Sequence, residues 1–129
     1  MTDKKKFELE YLLKTSPKVL ENMLCTPSGL SEWFANDVNI KDDVLTFFWD
    51  GDEESARLLS KRQNTSAKFQ WLRDEEEGNE YFFEMGYDVD PVTKSVVMTV
   101  TDFAEENELE ESQLLWDQQV NDLRRVLGA

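Results

Sequence analysis

Between residues 38 and 103 the chain breaks into six short apolar pieces separated by turn residues, and few folds accommodate such a run. The pieces are 38–40, 44–49, 56–63, 67–73, 81–89 and 92–103, and the punctuation is Lys41-Asp42-Asp43, Asp50-Gly51, Glu77-Gly78-Asn79 and Asp90-Pro91 through Lys94. These turn residues supply the tight or left-handed backbone that hairpins require. Strands so joined pair antiparallel, because a parallel return needs a long crossover. Alternation is clearest where Tyr81, Phe83, Met85, Tyr87 and Val89 interleave with Phe82, Glu84, Gly86 and Asp88. The first set is predicted to face inward.

The flanks differ in period. Phe7, Leu9, Tyr11 and Leu13 alternate as a first strand over 7–14. Ser16-Pro17 and Thr26-Pro27 each combine an N-cap hydroxyl with a proline at the first helical position, predicting two short successive helices. The first carries Val19, Leu20, Met23 and Leu24, and the second Leu30, Trp33 and Phe34. At the other end Asn107 and Glu110 form a capping pattern, Glu108 and Glu111 suit the positive helix end, and Arg124, Arg125 and Gly128 suit its close. Leu109, Trp116, Val120, Leu123 and Leu127 then lie on one stripe of a long helix, bordered by Leu115, Gln119, Asp122 and Val126. The expected architecture is one α+β domain over 1–129, in the order β-α-α-β6-α, whose curved antiparallel sheet of about seven strands covers the long helix.

Composition narrows function. The chain has 28 acidic and 14 basic residues, a net charge of -14 and no histidine. Its second half, 65–129, holds 16 acids against 5 bases. Such a surface repels phosphate backbones, so no nucleic-acid partner is expected. Without imidazole, histidine-based nucleophile arrangements and the common histidine-bearing zinc sites cannot be assembled. The acid-bearing start Phe7-Glu8-Leu9-Glu10 does not read as a signal peptide, and no apolar run can cross a bilayer. Cys25 is the only cysteine, so a cytoplasmic location is expected, without membrane insertion.

The element order resembles the helix-grip fold of the START-like (SRPBCC) superfamily. The resemblance rests on Ser16-Pro17-Lys18-Val19-Leu20, on Thr26-Pro27 through Leu30-Ser31-Glu32-Trp33-Phe34, and on Val100-Thr101-Asp102-Phe103 leading to Trp116 and Leu123. Within the superfamily it looks most like the branch related to the activator of the heat-shock-protein-90 ATPase, with Asp50-Gly51-Asp52 in place of that family's glycine-rich hairpin. The resemblance implies a cavity between sheet and long helix, and with the aromatic inventory it points to a non-enzymatic module that binds a small apolar ligand there; because some relatives of this fold are cyclases or hydrolases, it also implies an enzymatic reading. The alternative it implies is a protein-interaction module, chaperone-associated.

The candidate ligand-binding residues are Trp33, Phe34, Phe47, Trp49, Phe69, Trp71, Phe83, Met85, Tyr87 and Trp116. Large aromatics with an adaptable methionine line pockets, and they equally well fill the centre of a small domain. Alternation does not separate the two. No catalytic residue is assigned: Glu84 and Asp88 fall on the polar face, Asp102 lies near a strand end, and Glu75-Glu76-Glu77 reads as a solvated hairpin tip. An enzymatic reading would need a carboxylate or tyrosine opening into the cavity. Asp50, Asp52, Glu53 and Glu54 lack the spacing of a calcium loop, so neither metal nor cofactor is expected. Cys25 reads as a packing residue. Arg57, Lys61, Arg62, Lys68 and Arg73 form a basic stripe across two neighbouring strands, offering cross-strand pairs or a surface for an anionic partner.

Overall fold

A computed structural model describes residues 3–62 and 65–128, the side chains of Lys61 and Arg62 excepted. Seven strands form one antiparallel sheet: β1 (Lys4–Leu13), β2 (Asp37–Lys41), β3 (Val44–Trp49), β4 (Asp52–Arg62), β5 (Ser66–Trp71), β6 (Phe83–Val89) and β7 (Val96–Glu105). Their order is β1-β7-β6-β5-β4-β3-β2. Every neighbour from β2 to β7 is therefore a hairpin partner in sequence, and only β1 crosses to pair with the last strand. Two short helices, α1 (Pro17–Cys25) and α2 (Pro27–Trp33), bridge that crossing, and the long helix α4 (Leu109–Leu127) closes the chain. This is the expected α+β helix-grip architecture.

Local chemistry explains the boundaries. Ser16 Oγ accepts the Val19 N–H at 3.3 Å and Thr26 Oγ1 accepts the Gly29 N–H at 2.9 Å, so both anticipated caps form. Gly29 also lets α2 cross closely behind α1, since a Cβ there would fall on Asn22 O and within 2.8 Å of Met23 Cα. Gly51 turns at φ 79° between β3 and β4, and Gly128 ends α4 at φ 71°.

Several boundaries differ from the expectation. The strand expected over 67–73 stops at Trp71, where Leu72–Glu76 forms a one-turn helix, α3. The strand expected over 56–63 starts four residues earlier, at Asp52, and its far end at Gln63 lies outside the described residues. The strand expected from Val92 begins at Val96, because Asp90 Oδ1 accepts the N–H groups of Val92 and Thr93 and pulls that segment into a turn. That leaves Val92 86% exposed. Val89, expected inward, is exposed at the end of β6, where it stands opposite Val96. Asn107 does not cap α4: it sits in a 3₁₀ turn, Glu106–Glu108, ahead of a helix start with no side-chain cap.

The core lies between the concave sheet face and the helices. Trp116, Val120 and Leu123 of α4 are buried as the stripe predicts. They meet Phe47, Phe69, Phe83, Met85, Met98 and Val100 from the sheet and Leu20, Leu24 and Leu30 from α1 and α2. Cys25 packs half-buried at the edge of this core.

Candidate functional site

Strand register decides which side chains face α4. Trp49 stands opposite Asp52 and Phe47 opposite Glu54 across β3 and β4, while Ala56 pairs with Trp71, Phe69 with Phe83 and Met85 with Val100. Paired residues share a face and side chains alternate along each strand. Asp52 and Glu54 therefore continue inward from buried Ala56, and Asp102 continues inward from Met98 and Val100. Three carboxylates thus occupy positions on the concave face where alternation calls for apolar groups.

Deep in the grip there is no space left. Phe47, Phe69, Phe83 and Met85 are at most 1% exposed. Phe69 and Phe83 stack with ring centroids 5.1 Å apart, Phe34 meets Phe47 edge-on at 5.1 Å, and Phe83 lies 5.0 Å from Trp71. The hollow is instead at the mouth, a cleft of about 460 Å³ between α4 and the β3–β4 end of the sheet. Phe34, Trp49, Trp71, Phe83 and Trp116 supply its apolar lining, and Asp52, Glu54, Arg73, Asp102, Leu115 and Gln119 complete it. A second hollow of about 510 Å³ shares Phe34, Trp49, Leu115 and Gln119 and continues between α2 and α4 to Asp122 and Arg125. A third, of about 210 Å³, shares Trp71, Arg73 and Asp102 and reaches Lys4 and Tyr81.

The ten anticipated ligand residues therefore separate. Phe34, Trp49, Trp71, Phe83 and Trp116 line the cleft, and Trp33 lines its continuation with its indole N–H fixed on Met23 O at 2.9 Å. Phe47, Phe69 and Met85 lie in the packed interior and line none of these hollows. Tyr87 sits apart, beside Glu21 and Cys25 of α1, where burial chiefly, and then those two groups, raise its hydroxyl pKa. The sequence reading missed Asp52, Glu54, Arg73, Leu115 and Gln119 as lining. For the two acids the signal existed: they stand two and four residues before Ala56 on the same face, and starting the strand at Ala56 hid it.

Hydrogen bonds hold the aromatic mouth in place. The Trp49 indole N–H donates to Phe34 O at 2.9 Å. The Trp116 indole N–H donates to Asp102 Oδ2 at 2.8 Å, and Asp102 Oδ1 accepts the Phe103 N–H at 2.7 Å. Burial pushes the Asp102 carboxyl above the usual aspartate range. The Trp116 and Phe103 N–H groups and the charge of Lys4 pull it back, and Asp74 adds to the rise. Asp74 is itself only 6% exposed and accepts the Asn79 side-chain N–H at 3.3 Å, tying α3 to the approach to β6. Among the described residues no group of three or more histidine, cysteine or acidic side chains is gathered to hold a metal ion.

The basic stripe is largely spent within the protein. Arg57 bridges Asp43 at 2.9 Å and Glu75 at 2.8 Å, so Glu75 belongs to a bridge between α3 and β4 rather than to a free hairpin tip. Arg73 lies on α3, not on a strand, and reaches Glu54 at 2.8 Å. Lys68 Nζ sits 4.0 Å above the Phe82 ring. The side chains of Lys61 and Arg62 lie outside the described residues.

Comparison with known proteins agrees with this geometry. The model of the START-like superfamily domain matches residues 1–129. The solution structure of BfR322 from Bacteroides fragilis is 37% identical over 98% of this chain and 92% of its own, with a TM-score of 0.68. The solution structure of the Aha1 dimer from Colwellia psychrerythraea reaches a TM-score of 0.79 at 15% identity, over 95% of this chain and 96% of its own. ChR145 from Cytophaga hutchinsonii reaches 0.72 at 14% identity, over 99% and 97%. At these lower identities the likeness is one of fold. No curated protein matches the chain. No helix of the described residues is long and apolar enough to cross a membrane.

Proposed function

Because the chain belongs to the START-like superfamily, whose fold supports ligand-binding or interaction modules, we propose that it is a single cytoplasmic START-like domain binding a small apolar molecule at the mouth of its grip. The observation that carries this reading is the half-buried pair Trp49 and Trp71, which present aromatic faces to a cleft of about 460 Å³ although the interior behind them is filled. An apolar surface kept open next to a packed core costs hydrophobic free energy that an occupant would recover. The ligand then lies against Phe34, Trp49, Trp71 and Trp116 and stays partly in contact with water.

Both Asp102 oxygens already accept N–H groups, and Glu54 is committed to Arg73, so neither is poised as a free acid or base. The protein-interaction alternative rests on the resemblance to the ATPase-activator branch; of the basic stripe it would use, Arg57 and Arg73 are taken up by internal ion pairs.

Titration with the neutral dye Nile red, followed by its emission and by tryptophan quenching, tests the proposal. Trp49→Ala and Leu115→Arg, which remove lining from the cleft without entering the packed interior, should each weaken binding at least about tenfold, the loss of roughly 1.4 kcal/mol of contact. Dye binding that both variants leave unchanged, or no binding at all, would sink it.

A further inference from the structure

Three carboxylates stand on the concave face at positions that are ordinarily apolar: Asp52 exposed at the rim, Glu54 and Asp102 half-buried. One of the three already reveals how the mouth handles charge. Glu54 holds the Arg73 guanidinium at 2.8 Å while that same guanidinium lies over the Trp71 ring, 5.8 Å from its centroid. A cation clasped between an inward acid and a tryptophan face is thus built into the wall of the cleft. Asp52 and Asp102 repeat the first half of that arrangement. Asp52 stands beside Trp49 across the β3–β4 register, and Asp102 is bonded to the Trp116 indole. Among the described residues Asp52 takes part in no ion pair, and the cation facing Asp102 is Lys4, which lies toward Tyr81 in the adjoining hollow.

We propose, resting on the apolar-ligand reading above, that the ligand of this cleft is an organic cation: an apolar body against Trp49, Trp71 and Trp116, and a positively charged amine or quaternary ammonium facing Asp52. Tryptophan faces attract such groups through their quadrupole, and desolvation in a cleft strengthens that attraction. The Arg73 guanidinium cancels the charge of Glu54, and the Asp102 oxygens are taken up by the Trp116 and Phe103 N–H groups, which leaves Asp52 as the lining carboxylate open to the ligand. The protein's overall charge of -14 draws cations toward it from a distance.

Isothermal titration with decyltrimethylammonium, decanol and decanoate, each below its aggregation concentration, separates head charge from tail. The cation should bind at least about tenfold more tightly than decanol, with decanoate weakest. Asp52→Asn should erase most of that preference by weakening the cation alone. Asp52 is exposed at the rim, so its substitution leaves the packed interior intact. Removing two charges elsewhere, with Glu84→Gln/Asp88→Asn, should leave the preference intact. Equal affinity for the three compounds would overturn the cation assignment and leave the apolar cleft standing. Equal loss of preference in the Glu84/Asp88 control would overturn it in favour of bulk charge, and no binding of any of the three would remove both readings.

Discussion

Replacing Phe83 with alanine tests whether the grip is solid behind its mouth. Phe83 is 1% exposed and sits where the interior meets the cleft. Its ring contacts Phe69 at 5.1 Å, Trp71 at 5.0 Å, Phe34 at 5.9 Å and Trp116 at 6.3 Å. Truncating a phenylalanine in a close-packed interior costs about 3–5 kcal/mol, from lost transfer free energy and the cavity left behind. Aromatic pairs add about 0.5–1.5 kcal/mol each, but four pairs sharing one ring are not additive. An overall loss of about 4 kcal/mol is expected. In urea, where a small domain loses about 1–3 kcal/mol of stability per molar denaturant, this moves the unfolding midpoint down by about 2 M. Phe83→Leu keeps most of the volume and should cost about 1 kcal/mol, which provides a folded reference if the alanine variant is too weak to measure. Equilibrium unfolding read by tryptophan emission and by circular dichroism gives both numbers. An alanine variant losing less than about 2 kcal/mol would mean that the ring borders an open or wet interior, and the assignment of the cleft to the mouth alone would fall.

Two further outcomes follow from backbone geometry and from titration. Gly29→Ala forces a Cβ onto Asn22 O at the α1–α2 crossing and should cost about 2 kcal/mol or more, whereas Gly51→Ala, at φ 79° in open space, should cost about 1 kcal/mol; thermal or urea unfolding that reverses this order would contradict the close packing of the two helices. The Asp102 carboxyl binds its proton more tightly in the folded protein than in the unfolded chain. Its contribution is fully present below the ordinary aspartate range and is lost as pH rises through the raised folded value. Urea midpoints across an acid-to-neutral series should therefore lose part of their decline with rising pH in Asp102→Asn, and an unchanged profile would refute the assignment. Exposed Asp90 acts in the opposite sense: the Thr93 and Val92 N–H groups lower its pKa, so its contribution is lost as pH falls through the depressed value, and it should be left intact in that comparison.

Where one local interaction decides a structure, the sequence carried it. Ser16-Pro17 and Thr26-Pro27 specify two helix starts because hydroxyl and imino ring act within three residues of each other, and Gly51, Gly78 and Gly128 all adopt the positive φ their positions require. Alternation likewise located the strands. It failed at boundaries where two local preferences compete. Leu72, Arg73, Glu75 and Glu76 are good helix formers that follow a tryptophan at a strand's end, Asp74 suits the first turn, and helix won once β5 had no further partner in β6 beyond Phe69–Phe83. At 92–95 the Asp90 side chain captured the backbone N–H groups that a strand would have needed.

The candidate site was less legible because alternation reports a face and not a depth. Phe47 and Trp49 lie two residues apart on one strand and point the same way, yet Phe47 is fully buried while Trp49 reaches the cleft. Phe69 and Trp71 divide in the same manner on β5. What separates each pair is the position of α4, whose buried stripe runs from Trp116 to Leu123 and leaves the β3–β4 end of the sheet only partly covered. That end is also where alternation admits Asp52 and Glu54 to the concave face. The two facts have one cause: where the helix no longer covers the sheet, water reaches the inward positions, and acids can be held there at a cost that shrinks with exposure. A fully covered grip would have had to replace them with apolar groups. Asp52 and Glu54 therefore mark, in the sequence itself, where α4 stops covering the sheet.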